Sequence, residues 1–176
     1  MSAMRTTPAR AGLAVVMAQA LAIERAAVDR YGALADVMEV HNNREVAALF
    51  RKMADIESRH AAQIMAEMGW RRAADVPATA KAWGTGEPPE SVAEDEIHYL
   101  MWPWHALQLA LAAERRAEAF FARLADETDD DDVRRVAVAL RDEEREHVEL
   151  VQRWLARTPE PGPDWADDPD PPRYTD

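Results

Sequence analysis

The chain has 176 residues, 48% of them hydrophobic, which is enough for one compact domain with a proper core and too few for a second of ordinary size. A formal charge of −12 argues against a nucleic-acid surface or an anionic-membrane anchor, both of which need clustered Lys and Arg, and it suits cations. The absence of cysteine excludes a disulfide framework, a thiolate zinc site and a rubredoxin-type iron centre, so any metal must be held by carboxylates and imidazoles.

The first residues imitate a signal peptide: Arg5 and Arg10 precede "AGLAVVMAQALA", which includes an Ala18-Gln19-Ala20 cleavage-like triplet. The apolar pattern runs on into a longer amphipathic segment, however, and cleavage would cut through a helix, so a cytoplasmic protein is expected. The first predicted helix opens at Thr7-Pro8 and runs to about Met38. Asn42 with Glu45 is a candidate capping box for the second, which reaches about Gly69. A connection rich in Gly and Pro follows, with Ser91 and Glu94 capping a short helix inside it. Pro103 restarts the chain as the third long helix, to about Asp126. The acidic run 129–132 sits at the positive end of the fourth, about Asp132–Arg157.

The longest stretch free of Asp, Glu, Lys and Arg is Ile97–Ala113, and His98, Pro103 and His105 interrupt it, so no membrane span is expected. Residues 158–176 hold six of the eleven prolines and are expected to form a disordered tail. No segment shows the alternation of a strand. Short, long and short connections predict an all-α four-helix bundle over residues 1–157, two helix hairpins joined by a crossover.

The chain also repeats itself. "ALAIERAAVDRYGALAD" (20–36) over "ALAAERRAEAFFARLAD" (110–126) gives nine identities in seventeen positions, with Tyr31 falling on Phe121. At an offset of 87, Val46 falls on Val133, Met53 on Leu140, Asp55 on Asp142, Glu57 on Glu144 and His60 on His147. Each copy therefore carries one Glu on its first helix and Glu-x-x-His on its second. A lone Glu-x-x-His is a weak signal; two in register, each with its own upstream Glu, are a strong one.

Residues three apart share a helix face, so Glu57 points with His60 and Glu144 with His147. Glu24 lies among Ala20, Leu21, Ala27 and Leu34, and Glu114 among Ala110, Leu111, Ala117 and Leu124, so both occupy apolar stripes. Four converging buried carboxylates would repel, and their pKa values would rise until protons or metal compensated them. Two divalent ions balance four carboxylates. An oxygen-rich set with one imidazole per metal suits iron or manganese, or a mixed pair, better than structural zinc.

This pattern resembles the ferritin-like di-iron carboxylate superfamily, and its rubrerythrin-like branch most closely, over about Ala14 to Leu155. The resemblance implies that Glu57 and Glu144 bridge two iron ions, that Glu24 and Glu114 are terminal ligands, and that His60 and His147 each bind one ion. It also implies a diferrous centre that reacts with hydrogen peroxide or dioxygen, peroxidase or ferroxidase in type. A homodimer or larger homo-oligomer is expected. An oxygen-activating hydroxylase and a non-enzymatic iron store remain alternatives.

Three departures qualify the resemblance. The usual seventh ligand, a Glu one turn after the third-helix Glu, is here Ala117; Glu118, one residue on, either swings in or pairs with Arg115 or another neighbour. No rubredoxin domain accompanies the bundle, so an external electron donor is expected. The haem methionine of bacterioferritins is here Ser58. Tyr31, two turns past Glu24, either hydrogen-bonds a ligand carboxylate or caps the core. His41 reads as a loop residue, His98 and His105 as packing under the crossover, and Trp102 and Trp104 as core or subunit interface. Glu143 and Glu146 should face solvent, and Trp165 and Tyr174 could anchor the tail on a partner subunit.

Overall fold

The computed structural model describes residues 8–78, 97 and 101–163, with side chains from residue 12 onward. Four long helices carry the described residues: α1 (Pro8–Val40), α2 (Arg44–Met68), α3 (Pro103–Glu127) and α4 (Asp131–Leu155), with a 3-10 turn at Ala73–Asp75 after α2. No strand occurs among them, and none of these helices is long and apolar enough to cross a membrane. The expected cap at Thr7, the Ser91–Glu94 cap, His98, Trp165 and Tyr174 lie outside the described residues.

The helix ends follow local chemistry. Between α1 and α2 the chain reverses in three residues, and Asn42 takes a left-handed backbone with φ 58°. Asparagine tolerates that conformation far better than a branched side chain does. The demand on Asn42 overrides the expected capping box: Asn43 is the residue before α2, its side chain makes no capping bond, and the Asn42 side-chain oxygen instead accepts from Arg44 Nε at 3.1 Å. At the other end of α2, Gly69 adopts φ 69° and donates to the Ala66 carbonyl, while the Trp70 N–H reaches the Met65 carbonyl at 2.9 Å. This left-handed glycine closure stops the helix. Helix α3 starts at Pro103, with the Trp102 N–H donating to His105 Nδ1 at 3.3 Å. Helix α4 is capped by Asp130, whose Oδ1 accepts from the N–H groups of Asp132 and Val133 at 2.9 and 3.2 Å. Asp131 and Asp132 add negative charge to the same positive helix end.

Helix α1 packs along α2 and α3 along α4, and the two hairpins meet through α1 against α3 and α4. The apolar core is divided in two. One cluster gathers Tyr31, Leu34, Met38, Phe50, Met53, Leu107 and Val151 with their neighbours; the other gathers Met17, Leu21, Ile23, Ile64, Phe121 and Leu140. Every helix runs from one cluster to the other, and the residues it carries across the gap are acidic or imidazole: Glu24 on α1, Glu57 on α2, Glu114 on α3, and Glu144 with His147 on α4.

The capping assignment gives a direct check. Asp130→Ala should cost about 1 kcal/mol of stability, whereas Asn43→Ala, which removes no capping bond, should cost a few tenths at about the same position in the other hairpin. Chemical denaturation midpoints compare the two; equal losses would contradict this account of the α4 start.

Candidate metal centre

Helix periodicity brings six predicted residues into the layer between the clusters. Glu24, Glu57, Glu114, Glu144 and His147 are buried, and the His60 side chain keeps 26% of its exposure. His60 Nδ1 lies 3.7 Å from Glu24 Oε2 and 3.4 Å from Glu57 Oε2. His147 Nδ1 lies 3.0 Å from Glu57 Oε1, 3.5 Å from Glu114 Oε2 and 3.6 Å from Glu144 Oε2. The two imidazoles stack with centroids 5.7 Å apart and planes within 7°. Glu57, from the first hairpin, thus faces both histidines.

Two sets of side chains can each hold a metal ion: Glu57, His60 and His147, and Glu114, Glu144 and His147, with one donor atom from each residue lying within 4.8 Å of the others. Three of the donor atoms, Glu57 Oε1, Glu114 Oε2 and His147 Nδ1, are buried without a hydrogen-bond partner. A buried polar atom left without a partner costs about 1–3 kcal/mol, and more if it is charged. Here three such atoms face one another at 3.0 and 3.5 Å without aligned hydrogen bonds, an arrangement a cation between them would satisfy. The two sets share His147, and their oxygen and imidazole donors are of the kind that divalent ions take.

Protons and imidazolium charges compensate the buried carboxylates. Burial pushes the Glu24 carboxyl up to about 8, a rise that its bond to His60 only partly offsets. Burial likewise raises Glu144 well above the usual range against the pull of His147. Glu57 goes the other way: burial would raise it, but the His147 and His60 imidazoles outweigh that and hold it far below the ordinary carboxylate range. His60, bonded by Glu24 and Glu57, is raised to about 10. His147 rises too, because Glu114, Glu144 and Glu57 overcome the opposing effect of burial.

The structure gives Tyr31 and Glu118 definite contacts and adds a residue. Tyr31 is fully buried, and its hydroxyl donates to Glu114 Oε1. Burial, then the Glu114 charge, raises its pKa well above that of an ordinary phenol, so it stays a donor. The Glu118 carboxylate pairs with Arg145 Nε at 2.9 Å, a neighbour on α4, in line with the ion-pair alternative. The residue that sequence reasoning missed is Arg30. It is buried, donates through Nη2 to Glu114 Oε1 at 2.6 Å, and lies 4.4 Å above the Tyr31 ring. A signal for it existed: in the repeat Arg30 and Tyr31 fall on Phe120 and Phe121, a polar pair over an apolar one. His41 sits in the exposed turn and Glu146 is exposed, as expected; Glu143 is exposed but lines a pocket beside Glu24 and His60, His105 Nδ1 accepts from the Trp102 N–H, and the Trp102 side chain is exposed instead of lying in the core.

Among the described residues, a pocket reaches this layer. It has a volume of about 170 Å³ and is lined by Glu24, His60, Gln63, Glu67 and Glu143 together with apolar side chains of α1, α2 and α4.

Comparison with known proteins agrees with this geometry. The Rubrerythrin family model matches residues 16–155. A crystal structure of an uncharacterized conserved protein from Magnetospirillum magnetotacticum MS-1 is similar, with a TM-score of 0.72 and 34% identity, covering 85% of this chain and 97% of that one. No curated protein matches.

The raised pKa values in the layer predict how metal and pH are linked. Glu24 is raised from 4.5 to about 8 and His60 from 6.5 to about 10, so over both intervals the folded metal-free chain binds more protons than the unfolded one. Its stability should therefore fall as pH rises from about 5 to about 10, which thermal unfolding would show. Divalent ions must displace these protons, so calorimetry of Mn²⁺ binding in buffers of different ionisation enthalpy should register proton release and tighter binding at higher pH. Binding without proton release would contradict the assignment of these groups as ligands.

Proposed function

The chain belongs to the rubrerythrin family, and from that premise we propose that it is a non-haem di-iron oxidoreductase in which Glu24, Glu57, His60, Glu114, Glu144 and His147 hold two iron ions, with manganese able to replace one or both. By the family resemblance Glu57 and Glu144 would bridge the ions, Glu24 and Glu114 would be terminal ligands, and His60 and His147 would each serve one ion. The observation that carries this reading is the meeting of three buried donor atoms from three different helices: His147 Nδ1 lies 3.0 Å from Glu57 Oε1 and 3.5 Å from Glu114 Oε2, and none of the three makes a well-aligned hydrogen bond.

The preferred reaction is reduction of hydrogen peroxide, with oxidation of ferrous iron by dioxygen close behind. A bound ferrous pair would supply one electron per ion to split the O–O bond, and two protons complete two waters. The chain's own part is to hold and shield that pair. The four buried carboxylates face one another in the layer, and Tyr31 and Arg30 hold Glu114 in one orientation. His60 and Glu24 line the pocket through which a small oxidant arrives. Glu143, exposed at the same pocket and raised in pKa by its partial burial, is placed to relay protons from solvent.

The pocket's volume of about 170 Å³ argues against hydroxylation of an organic substrate, for which pockets of about 300–1,000 Å³ are usual. The 176 residues contain no cysteine to hold an iron–sulfur relay, so re-reduction is assigned to an external electron donor. A cytoplasmic setting and a homodimer or larger homo-oligomer complete the proposal.

An anaerobic sample loaded with two Fe²⁺ per chain and mixed with peroxide or with oxygenated buffer in a stopped-flow instrument tests it. One peroxide should be consumed per pair of ions, and oxidation by peroxide should be much the faster. Comparable rates with dioxygen would assign the chain to the ferroxidase class, and failure to consume peroxide would overturn the peroxidase reading.

A further inference from the structure

The duplicated hairpins give the layer an approximate two-fold symmetry, and three observations break it at one end. The first is the hold on Glu114. Its Oε1 accepts from Arg30 and from Tyr31, both fully buried, which leaves Oε2 as the oxygen that faces His147. In the second copy the places of Arg30 and Tyr31 are taken by Phe120 and Phe121, side chains without a hydrogen-bond donor that belong to the apolar cluster around Leu21 and Ile23. Glu24 therefore receives no equivalent pair of donors from the repeat.

The second observation is exposure. The His60 side chain is 26% exposed, against 9% for His147. The third is access. The pocket of about 170 Å³ is lined by Glu24 and His60, and neither Glu114, Glu144 nor His147 is part of its wall. Glu67 and Glu143 stand on that wall and are exposed, so the approach carries negative charge that concentrates cations.

Release of a metal ion requires its carboxylate to rotate away while water or a chelator takes the vacated position. At Glu24 the pocket offers room for both. At Glu114 two donors oppose the rotation, and the side chain is completely buried. Arg30 does not act by attraction, because its positive charge opposes a neighbouring cation; its effect is to hold the ligand still.

On the reading that the six residues bind two ions, we infer that the two positions are kinetically distinct: the ion at Glu24 and His60 enters and leaves through the pocket lined by Gln63, Glu67 and Glu143, while the ion at Glu114 and His147 is retained. Tyr31 is a positioning residue for the retained ion, acting through Glu114. Ala139, exposed on α4 at the pocket wall, is a place where a larger side chain would obstruct exchange without touching a ligand.

Chelation kinetics of the full chain loaded with two Co²⁺ test this, with the visible absorption of the bound ions as the readout. Excess EDTA should remove one equivalent at least about tenfold faster than the other, the scale on which residues behind metal ligands act. Ala139→Phe should slow the fast phase alone. Tyr31→Phe, which installs the residue of the second copy, should speed the slow phase alone. His60→Gln should abolish the fast phase and leave one slowly released ion.

Two equivalents leaving in a single phase would overturn the inference while leaving the two-ion site intact. So would a Tyr31→Phe variant that changes the fast phase instead, or an Ala139→Phe variant that leaves the fast phase untouched. A chain that takes up no Co²⁺ would overturn the metal-site reading itself, and this inference with it.

Discussion

Four carboxylates share one cross-section of this bundle, and their mutual repulsion in a dry interior is the constraint around which the rest is arranged. An isolated buried carboxylate is expensive, and four together cannot all remain ionised without positive charge among them. The layer has three sources of compensation: Arg30, the two imidazoles, and protons on Glu24 and Glu144. These leave the layer incompletely satisfied in hydrogen-bonding terms, because Glu57 Oε1, Glu114 Oε2 and His147 Nδ1 face one another without an aligned hydrogen bond. A sequence under selection for stability alone would place apolar residues there, since a well-packed core is at least as stable as a buried ionic one. The duplicated hairpin instead interrupts one continuous core to make two, with acidic and imidazole side chains between.

That interruption explains why the scaffold has to be stiff. Side chains at i and i+3 present a common face only while the helix stays regular, and Glu57 with His60 and Glu144 with His147 depend on this. The Gly69 closure at the end of α2 and the Asp130 cap at the start of α4 fix the lengths of the helices that carry them. The apolar clusters on either side hold the four helices in register, so that donors from both hairpins reach the same point. The same symmetry that gives two similar ion positions is then broken by Arg30 and Tyr31, which serve one terminal carboxylate and not the other.

Much of this was legible in the sequence because it is periodic. Helix type, the pairing of hairpins and the faces of Glu24, Glu57, Glu114 and Glu144 follow from apolar spacing and from the repeat. What failed to show were contacts set by tertiary packing. Arg30 lies six residues past Glu24, about 240° around an ideal helix, and so reads as a surface arginine until α3 packs against it. Glu118 finds Arg145, 27 residues away, a partner that local spacing does not reveal. Asn42 has the sequence of a helix cap, but the tightness of the turn claims it for a left-handed backbone instead. Tyr31 was ambiguous for a related reason: its position two turns past Glu24 fixes the face, whereas its partner, Glu114, is on another helix of the other hairpin.

The central claim is that the six residues together hold two ions. Crystals grown with Mn²⁺ and measured at its absorption edge would locate the ions by anomalous scattering. The account predicts two peaks about 3.5–4 Å apart in the layer between the apolar clusters, one beside Glu24 and His60, the other beside Glu114 and His147, with Glu57 and Glu144 between them. A single peak, or peaks confined to the acidic surface while the six side chains bind only one another, would contradict it.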